Sequence, residues 1–243
     1  GIDAALSELV ALPLVATRVD ALDRHHHLLV VRNGVIDLRT GNLQEHNEEL
    51  LMTKRVEIDY DAEAKAPRWE SYLSEVMCDD ADMAAYLHRL VGYAVTGETS
   101  EQCFTVLYGS GANGKTAFTS TLQEVFSAIA VTTPFSTFEQ KAAGGIPNDV
   151  AALRAARLVF ASEGNADRSM DEALLKQITG RDPVTARFLR KEFFTFTPRF
   201  QIFLATNKKP SFSGQDDGLW RRVKMVAWKR YFAPHERDAG IFD

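Results

Sequence analysis

Cysteine and long apolar segments are both scarce in this sequence. Only Cys78 and Cys103 occur among its 243 residues. Neither belongs to a CxxC pair or stands near a paired histidine, so neither a disulfide framework nor a zinc site is predicted. No apolar run approaches the roughly 18 residues of a membrane span, and no charged-then-apolar leader opens the chain. These absences argue against secreted and membrane-spanning classes and predict a cytoplasmic protein.

An overall excess of positive charge is also absent. The formal net charge is −5, which is unusual for a protein that binds nucleic acid. The charge is unevenly distributed, however, because residues 181–230 hold twelve Lys or Arg against four Asp or Glu. This segment is either an ordinary solvated surface or a basic region that contacts an anionic partner.

What the sequence does contain is a glycine-rich phosphate-binding motif, GxxxxGKT. The apolar run Phe104–Tyr108 before it is typical of a buried strand, and apolar residues recur at helical spacing from Phe118 to Ile129 after it. In such a loop, backbone N–H groups point at a phosphate, the lysine adds a charge, and the threonine hydroxyl coordinates Mg²⁺. The motif predicts a site for a nucleoside triphosphate and Mg²⁺, formed by Gly109, Ser110, Gly111, Ala112, Asn113, Gly114, Lys115 and Thr116.

Polar residues follow two further predicted strands. Glu163 comes soon after the predicted strand 157–161, and Asn207 directly follows the predicted strand 201–206. Glu163 is the candidate base that orders or deprotonates water and holds the Mg²⁺ shell, and Asn207 is suited to bind the γ-phosphate or that water. The plainer alternatives are an exposed glutamate and a turn asparagine.

Two basic features lie in the segment of concentrated positive charge. Residues 184–196 alternate apolar and polar on both sides of a charged tip, which predicts a β-hairpin whose Arg187, Arg190 and Lys191 contact a nucleic-acid backbone. Arg221 and Arg222 precede the last predicted strand, 223–226, where one of them is suited to act as an arginine finger on a neighbouring copy. An ordinary exposed hairpin and a surface arginine pair are the alternatives.

Strand and helix patterns alternate from residue 101 onward, which predicts an α/β fold with a parallel sheet flanked by helices. Before it, Asn33-Gly34 between two apolar runs predicts a β-hairpin, and apolar stripes predict two helices, one opening at Pro67 and one ending at Gly97. A capping box at Ser169 predicts a further helix start. We expect an accessory region (1–65), a helical, oligomerising segment (66–98) and a core (99–243), cut from a longer polypeptide.

Together these motifs resemble the superfamily 3 helicases, and specifically the phage and plasmid primase–helicases related to the poxvirus D5 protein and to the P4-type enzymes. The resemblance covers residues from about 28 to 230, in a specific order and with compact spacing. Besides the phosphate loop it rests on six segments, which are residues 31–38, 90–97, 148–153, 175–182, 205–207 and 220–222.

The resemblance implies an AAA+ ATPase that uses ATP and Mg²⁺, assembles into a hexameric ring and translocates along single-stranded DNA. It implies a role in replicating a phage, a plasmid or another mobile element within a bacterial host. A primase–polymerase domain is often joined to this module, and we expect any such domain in the parent protein rather than in this chain.

Position in the motif order then implies a role for each residue. The phosphate loop corresponds to the Walker A motif, Glu163 to the Walker B acid and Asn207 to the sensor. Ser162 stands where many relatives carry a second acid. Arg190 and Lys191 lie on the DNA-binding hairpin, and Arg221 or Arg222 is the finger.

Two other functions are compatible with these residues. A P-loop kinase shares the loop and the sheet, but it should also carry a substrate pocket and an arginine-rich lid, and no such lid is evident. A nucleotide-gated DNA-binding or assembly module would use ATP to organise a ring without unwinding DNA. The main prediction is an ATP-dependent DNA helicase.

Overall fold

The computed structural model describes residues 2, 8–9, 17–140, 148–162, 169–212 and 217–238. The chain divides into two compact units, residues 1–62 and residues 63–243. The segment predicted to be a separate helical region falls in the second unit, together with the phosphate loop. The three predicted domain ranges stay predictions.

A four-stranded sheet forms the first unit. Its strands are β1 (Leu28–Val31), β2 (Gly34–Asp37), β3 (Asn42–Gln44) and β4 (Arg55–Val56), in the order β3-β2-β1-β4. The hairpin predicted at Asn33-Gly34 is present, with β1 and β2 antiparallel, although Gly34 already belongs to β2. The Asn33 side chain accepts a hydrogen bond from Tyr60 N and donates one to Tyr60 O, both at 2.9 Å, which holds this turn.

A five-stranded parallel sheet forms the centre of the second unit. Its strands are β5 (Phe104–Tyr108), β6 (Ala130–Thr132), β7 (Leu158–Ser162), β10 (Gln201–Thr206) and β11 (Val223–Ala227), in the order β11-β5-β10-β7-β6. Strands β5 and β10 have the predicted bounds, β7 is shifted by one residue from the predicted 157–161, and β11 extends one residue beyond the predicted 223–226. Strand β6 was not predicted, because it is a three-residue edge strand without a fully buried residue.

Helices cover this sheet, as the predicted fold class requires. They are α1 (Pro67–Val76), α2 (Ala81–Thr96), α3 (Lys115–Val125), α4 (Asn148–Ala152), α5 (Glu172–Ile178) and α6 (Asp217–Trp220). The predicted opening of α1 at Pro67 is confirmed. Helix α2 ends before Gly97, whose φ of 69° is the left-handed conformation that terminates helices. Within the described ranges, every helix is too short or too polar to cross a lipid bilayer.

The predicted capping box at Ser169 is wrong. Helix α5 begins at Glu172, and Asp171 is its N-cap, because the Asp171 carboxylate accepts a hydrogen bond of 2.9 Å from Leu174 N. Ser169 instead lies in a β-bridge with Ser211. An aspartate two residues downstream therefore takes the role predicted for the serine.

The central strands fix where a ligand can bind. All six residues of β10 are buried, and so are the first four residues of β5 and of β7. Because the strands are parallel, their carboxyl ends meet at one edge of the sheet, where ligands of α/β folds bind.

Candidate nucleotide-binding site

The phosphate loop lies at this carboxyl edge, between β5 and α3. Strand β5 is flanked by β10 and β11, so the loop emerges near the middle of the sheet. The backbone turns sharply through Gly111, Ala112 and Gly114, whose φ angles are 90°, 46° and 89°. Gly114 immediately precedes the first residue of α3, Lys115. The loop therefore ends at a helix amino terminus, which is a favourable site for an anion.

Two glycines of the motif are required by sterics. A Cβ at Gly109 would overlap the carbonyl oxygen of Trp228 and lie 2.5 Å from Nδ2 of Asn113. A Cβ at Gly114 would lie 2.8 Å from Cγ1 of Val76, in a backbone conformation that side chains disfavour. The glycine pattern thus follows from the close approach of the loop to β11 and to α1.

Lys115 is held inside the loop. Its Nζ donates hydrogen bonds to Gly109 O at 2.8 Å and to Asn113 Oδ1 at 3.0 Å. The side chain is only 7% exposed, and burial lowers the pKa of its ammonium group, because water no longer solvates the charge. A cation in this position can bind phosphate oxygens. Thr116, the next residue, is exposed in the first turn of α3.

The segment that follows β11 supports the loop from one side. Trp228 N donates to Tyr108 O at 2.8 Å, and Phe232 N donates to Ala112 O at 2.7 Å. The Asn113 side chain donates to Trp228 O at 3.3 Å. Residues 228–232 therefore run alongside the loop and fix its backbone.

Helix α1 supports the loop from another side. The Tyr72 hydroxyl donates to Gly114 O at 2.8 Å, and burial raises the pKa of this phenol far above its ordinary value. The Trp69 ring stacks on Phe118 of α3, with centroids 5.7 Å apart. The apolar stripe of α1 thus also holds the position of the phosphate loop.

A pocket of about 480 Å³ opens beside the loop. One side consists of residues 111–117 and Asn207, and the other of residues from α1 and from the segment 232–238. Ion pairs join α1 to this segment and to Arg230 just before it, since Arg68 Nη2 lies 2.8 Å from Asp238 Oδ2 and Arg230 Nη2 lies 3.5 Å from Glu75 Oε1. Sequence reasoning missed this second side completely. No local motif marks it, and only the long-range packing of the chain reveals it.

Asn207 lies next to the loop, as its predicted role requires. It directly follows β10, the neighbour of β5, and its Oδ1 would be 3.9 Å from a Cβ built on Gly111. Glu163 lies outside the described residues. Ser162, the residue before it, is the last of β7 and pairs in register with Ala205 of β10.

The two candidate finger residues lie at the opposite edge of the sheet. Val223 pairs in register with Phe104, the first residue of β5, so Arg221 and Arg222 precede the strand start. Four residue steps of about 3.3 Å place them about 13 Å or more from the loop of the same chain. Arg222 is half-buried and donates to Gln102 O at 3.2 Å, whereas Arg221 is exposed.

The predicted basic hairpin is present. Strands β8 (Val184–Ala186) and β9 (Phe194–Phe196) pair antiparallel, and residues 187–193 form the tip. Arg187, Arg190 and Lys191 are exposed there, and Leu189 and Phe193 are also exposed, at 77% and 52%. The Leu189 N–H donates to the Asn148 side chain at 2.8 Å, which ties the tip to α4.

Comparison with protein families matches two parts of the chain. Residues 1–78 match a family described as D5 N terminal like, and residues 107–222 match a family of unknown function, DUF5906. The second match contains the phosphate loop, the hairpin and the Arg221-Arg222 pair.

Among curated proteins, the chain is 30% identical over 223 residues to a provisionally named helicase of Acanthamoeba polyphaga mimivirus, covering 88% of this chain and 23% of that protein. It is 26% identical over 170 residues to a provisionally named helicase of Frog virus 3, covering 67% and 17%. A provisionally named primase of African swine fever virus is 24% identical over 230 residues, covering 91% and 24%. The chain therefore spans a quarter or less of each relative. These viruses infect eukaryotes, so the predicted phage or plasmid origin and bacterial host stay predictions.

Among solved structures, an apo structure of the NrS-1 C terminal region aligns with a TM-score of 0.54 at 12% identity, over 68% of this chain and 38% of that one. A second apo structure of the same region, residues 305–718, gives 0.54 at 12%, over 72% and 41%. At this identity the likeness concerns the fold alone. Taken with the two family matches and the viral relatives, it confirms the resemblance of this chain to the D5-like primase–helicase group.

Proposed function

We propose that this chain is the ATP-hydrolysing motor of a DNA helicase, an AAA+ module of superfamily 3 that works as a hexameric ring on single-stranded DNA. The observation that carries the proposal is the glycine-rich phosphate loop at the carboxyl edge of a parallel sheet. Lys115 lies inside this loop and Asn207 lies beside it. The helicase and primase names of the viral relatives support the same class of activity.

Each residue of the proposed site has a defined task. The loop backbone and the Lys115 ammonium bind the β- and γ-phosphates, and the Thr116 hydroxyl together with Glu163 holds Mg²⁺. When bound there, Mg²⁺ would supply charge neutralisation for the transferring phosphoryl group. Glu163 also accepts a proton from the attacking water, and Asn207 orients that water or the γ-phosphate.

The position of Arg221 supports hydrolysis at a boundary between copies. An arginine finger must reach the γ-phosphate, and the length of strand β5 separates Arg221 from the loop of its own chain. In a ring, a neighbouring copy would supply Arg221 by packing this edge of its sheet against the loop edge of the first copy. Arg221 suits this role better than Arg222, because the Arg222 guanidinium is already engaged with Gln102 O.

The hairpin supports the assignment of single-stranded DNA as the partner. Its tip combines exposed cations with exposed apolar side chains, and this combination binds a phosphate backbone and stacks on bases. Residues 197–200 connect β9 to the amino end of β10, so the hairpin leaves the sheet at the same edge as Arg221. The base of the hairpin and Arg221 therefore lie at the same edge of the sheet.

ATP hydrolysis with and without single-stranded DNA tests this function. The proposal expects hydrolysis that single-stranded DNA stimulates and that Lys115→Ala abolishes, accompanied by ATP-dependent strand separation. Nucleotide-dependent assembly on DNA without strand separation would favour the assembly module. Phosphate transfer to a small acceptor in place of water would favour the kinase.

A second experiment addresses the hairpin alone. Arg190→Ala with Lys191→Ala removes two phosphate contacts, so the slope of log affinity against log salt should fall by about 1.4 for single-stranded DNA. The matched control is Arg89→Ala, which removes an exposed arginine from α2 and should leave the slope unchanged. An unaltered slope in the double variant would exclude the hairpin from the DNA interface.

A further inference from the structure

The pocket beside the phosphate loop is larger than a triphosphate chain requires. Residues 111–117 and Asn207 enclose only one side of its roughly 480 Å³. The rest of the space lies between α1 and the segment 232–238. If the phosphates lie on the loop, as the proposed function requires, the sugar and the base must occupy this remaining part of the pocket.

Tyr72 and Phe232 are the two aromatic residues that border that part of the pocket. They differ in how much of the ring is free to contact a ligand. The Tyr72 hydroxyl is committed to Gly114 O, and its ring packs against Trp69 with centroids 5.4 Å apart. Phe232 is only half-buried and has no aromatic neighbour among the described ring contacts. The Phe232 ring therefore has accessible surface that a ligand can contact.

The surroundings of Phe232 make it a rigid platform. Its backbone N–H is bonded to Ala112 O at 2.7 Å, so the residue is attached directly to the phosphate loop. The Arg230 guanidinium lies over the ring, 4.6 Å from its centroid. Arg230 is itself held by Glu236 at 2.6 Å and by Glu75 of α1. Phe232 lines the pocket, whereas Arg230 does not, so Arg230 does not separate Phe232 from the space available to a ligand.

We infer that Phe232 is the base-stacking residue of this site, and that the segment 232–238 forms part of the nucleoside-binding wall of the pocket. The ligand class is a nucleotide with a planar aromatic base, which stacks on Phe232 while its phosphates bind the loop. The charge on Arg230 polarises the ring, and the ion pairs to Glu75 and Glu236 hold Arg230 in place. This inference rests on the proposed nucleotide-binding function.

Comparing the affinities for ADP and for inorganic triphosphate distinguishes the base-stacking role of Phe232 from the proposed nucleotide-binding function. Phe232→Ala removes the stacking surface but leaves the backbone bond to Ala112, so it should weaken ADP binding about 5- to 160-fold. The same variant should bind inorganic triphosphate as the unaltered protein does. Phe232→Tyr keeps an aromatic surface and should bind ADP within about threefold of the original. The matched control is Tyr231→Ala, which removes a neighbouring ring that is 54% exposed and does not border the pocket.

Each outcome of the binding titrations has a separate meaning. Equal losses for ADP and triphosphate in Phe232→Ala, or full ADP affinity in that variant, would overturn the base-stacking role. Failure of the unaltered protein to bind either ligand would instead overturn the proposed nucleotide site itself. Weak ADP binding in Tyr231→Ala would show that any change in this segment disturbs the pocket, and it would also contradict the assignment to Phe232.

Discussion

A single methyl group on Gly109 is a sharp probe of the phosphate-loop geometry. In Gly109→Ala the new Cβ overlaps the Trp228 carbonyl oxygen and lies 2.5 Å from Asn113 Nδ2. The Trp228 carbonyl belongs to the backbone, and the Trp228 N–H is bonded to Tyr108 O at 2.8 Å. Relief of the overlap therefore requires the loop and the exit of β11 to move apart.

The expected cost follows from the packing. Overfilling a close-packed site costs about 1–3 kcal/mol of unfolding free energy. For a chain of this size, each kcal/mol lowers Tm by about 2–4 °C. We therefore expect Tm to fall by about 2–12 °C. Nucleotide affinity should fall at least tenfold, equivalent to about 1.4 kcal/mol, because the displaced loop no longer fits the phosphates.

Gly92→Ala is the matched control for this substitution. Gly92 lies in α2, and a Cβ there meets no atom within 4 Å. Alanine favours a helix over glycine by about 1 kcal/mol, so Tm should rise by about 2–4 °C. Thermal unfolding and calorimetric ADP titration of both variants measure the contrast. A Gly109→Ala protein that melts and binds ADP like the original would refute the close approach of the loop to Trp228.

Two further predictions concern Lys115 and the α5 cap. Burial lowers the pKa of Lys115, and only the protonated lysine attracts phosphate. ADP affinity should therefore decline as the pH rises, and the decline should begin at a lower pH than the pKa of about 10.4 of an exposed lysine would give. Lys115→Arg should lose this pH dependence, because arginine stays charged. If the original protein binds ADP with constant affinity up to pH 10, the prediction is wrong. Asp171→Ala should lower the free energy of unfolding by about 1 kcal/mol, whereas Ser169→Ala should change it little. Urea denaturation measures the free energy of unfolding of both variants. A larger loss in Ser169→Ala than in Asp171→Ala would show that Ser169, and not Asp171, caps α5.

Much of the loop side of the site could be predicted from the sequence, because it depends on local patterns. The glycine spacing, the apolar run before it and the helical periodicity after it all lie within about thirty residues. Each is a direct consequence of the backbone geometry that a phosphate loop needs. Asn207 was predicted for a related reason, since a polar residue at the end of a buried strand lies at the carboxyl edge of a parallel sheet.

The opposite wall could not be predicted from the sequence in the same way. Phe232 and Arg230 lie in a segment without regular periodicity, and their contacts with Ala112 and Glu75 span more than a hundred residues. Strand β6 was missed because three half-exposed residues carry too weak a pattern. The α5 cap was misassigned because Ser169 and Asp171 both have capping side chains, and the sequence does not show that Ser169 forms a β-bridge with Ser211 instead.

Mixing two inactive variants tests the central claim most directly, since the claim is that ATP is hydrolysed at a boundary between copies of this chain. Lys115→Ala lacks a working loop but keeps the finger, and Arg221→Ala keeps the loop but lacks the finger. In an equal random mixture about a quarter of the boundaries join an intact loop to an intact finger. The account predicts that ATP hydrolysis stimulated by single-stranded DNA reappears on mixing, at about a quarter of the original rate. A mixture that stays as inactive as its components, or an Arg221→Ala protein that is fully active alone, would contradict it.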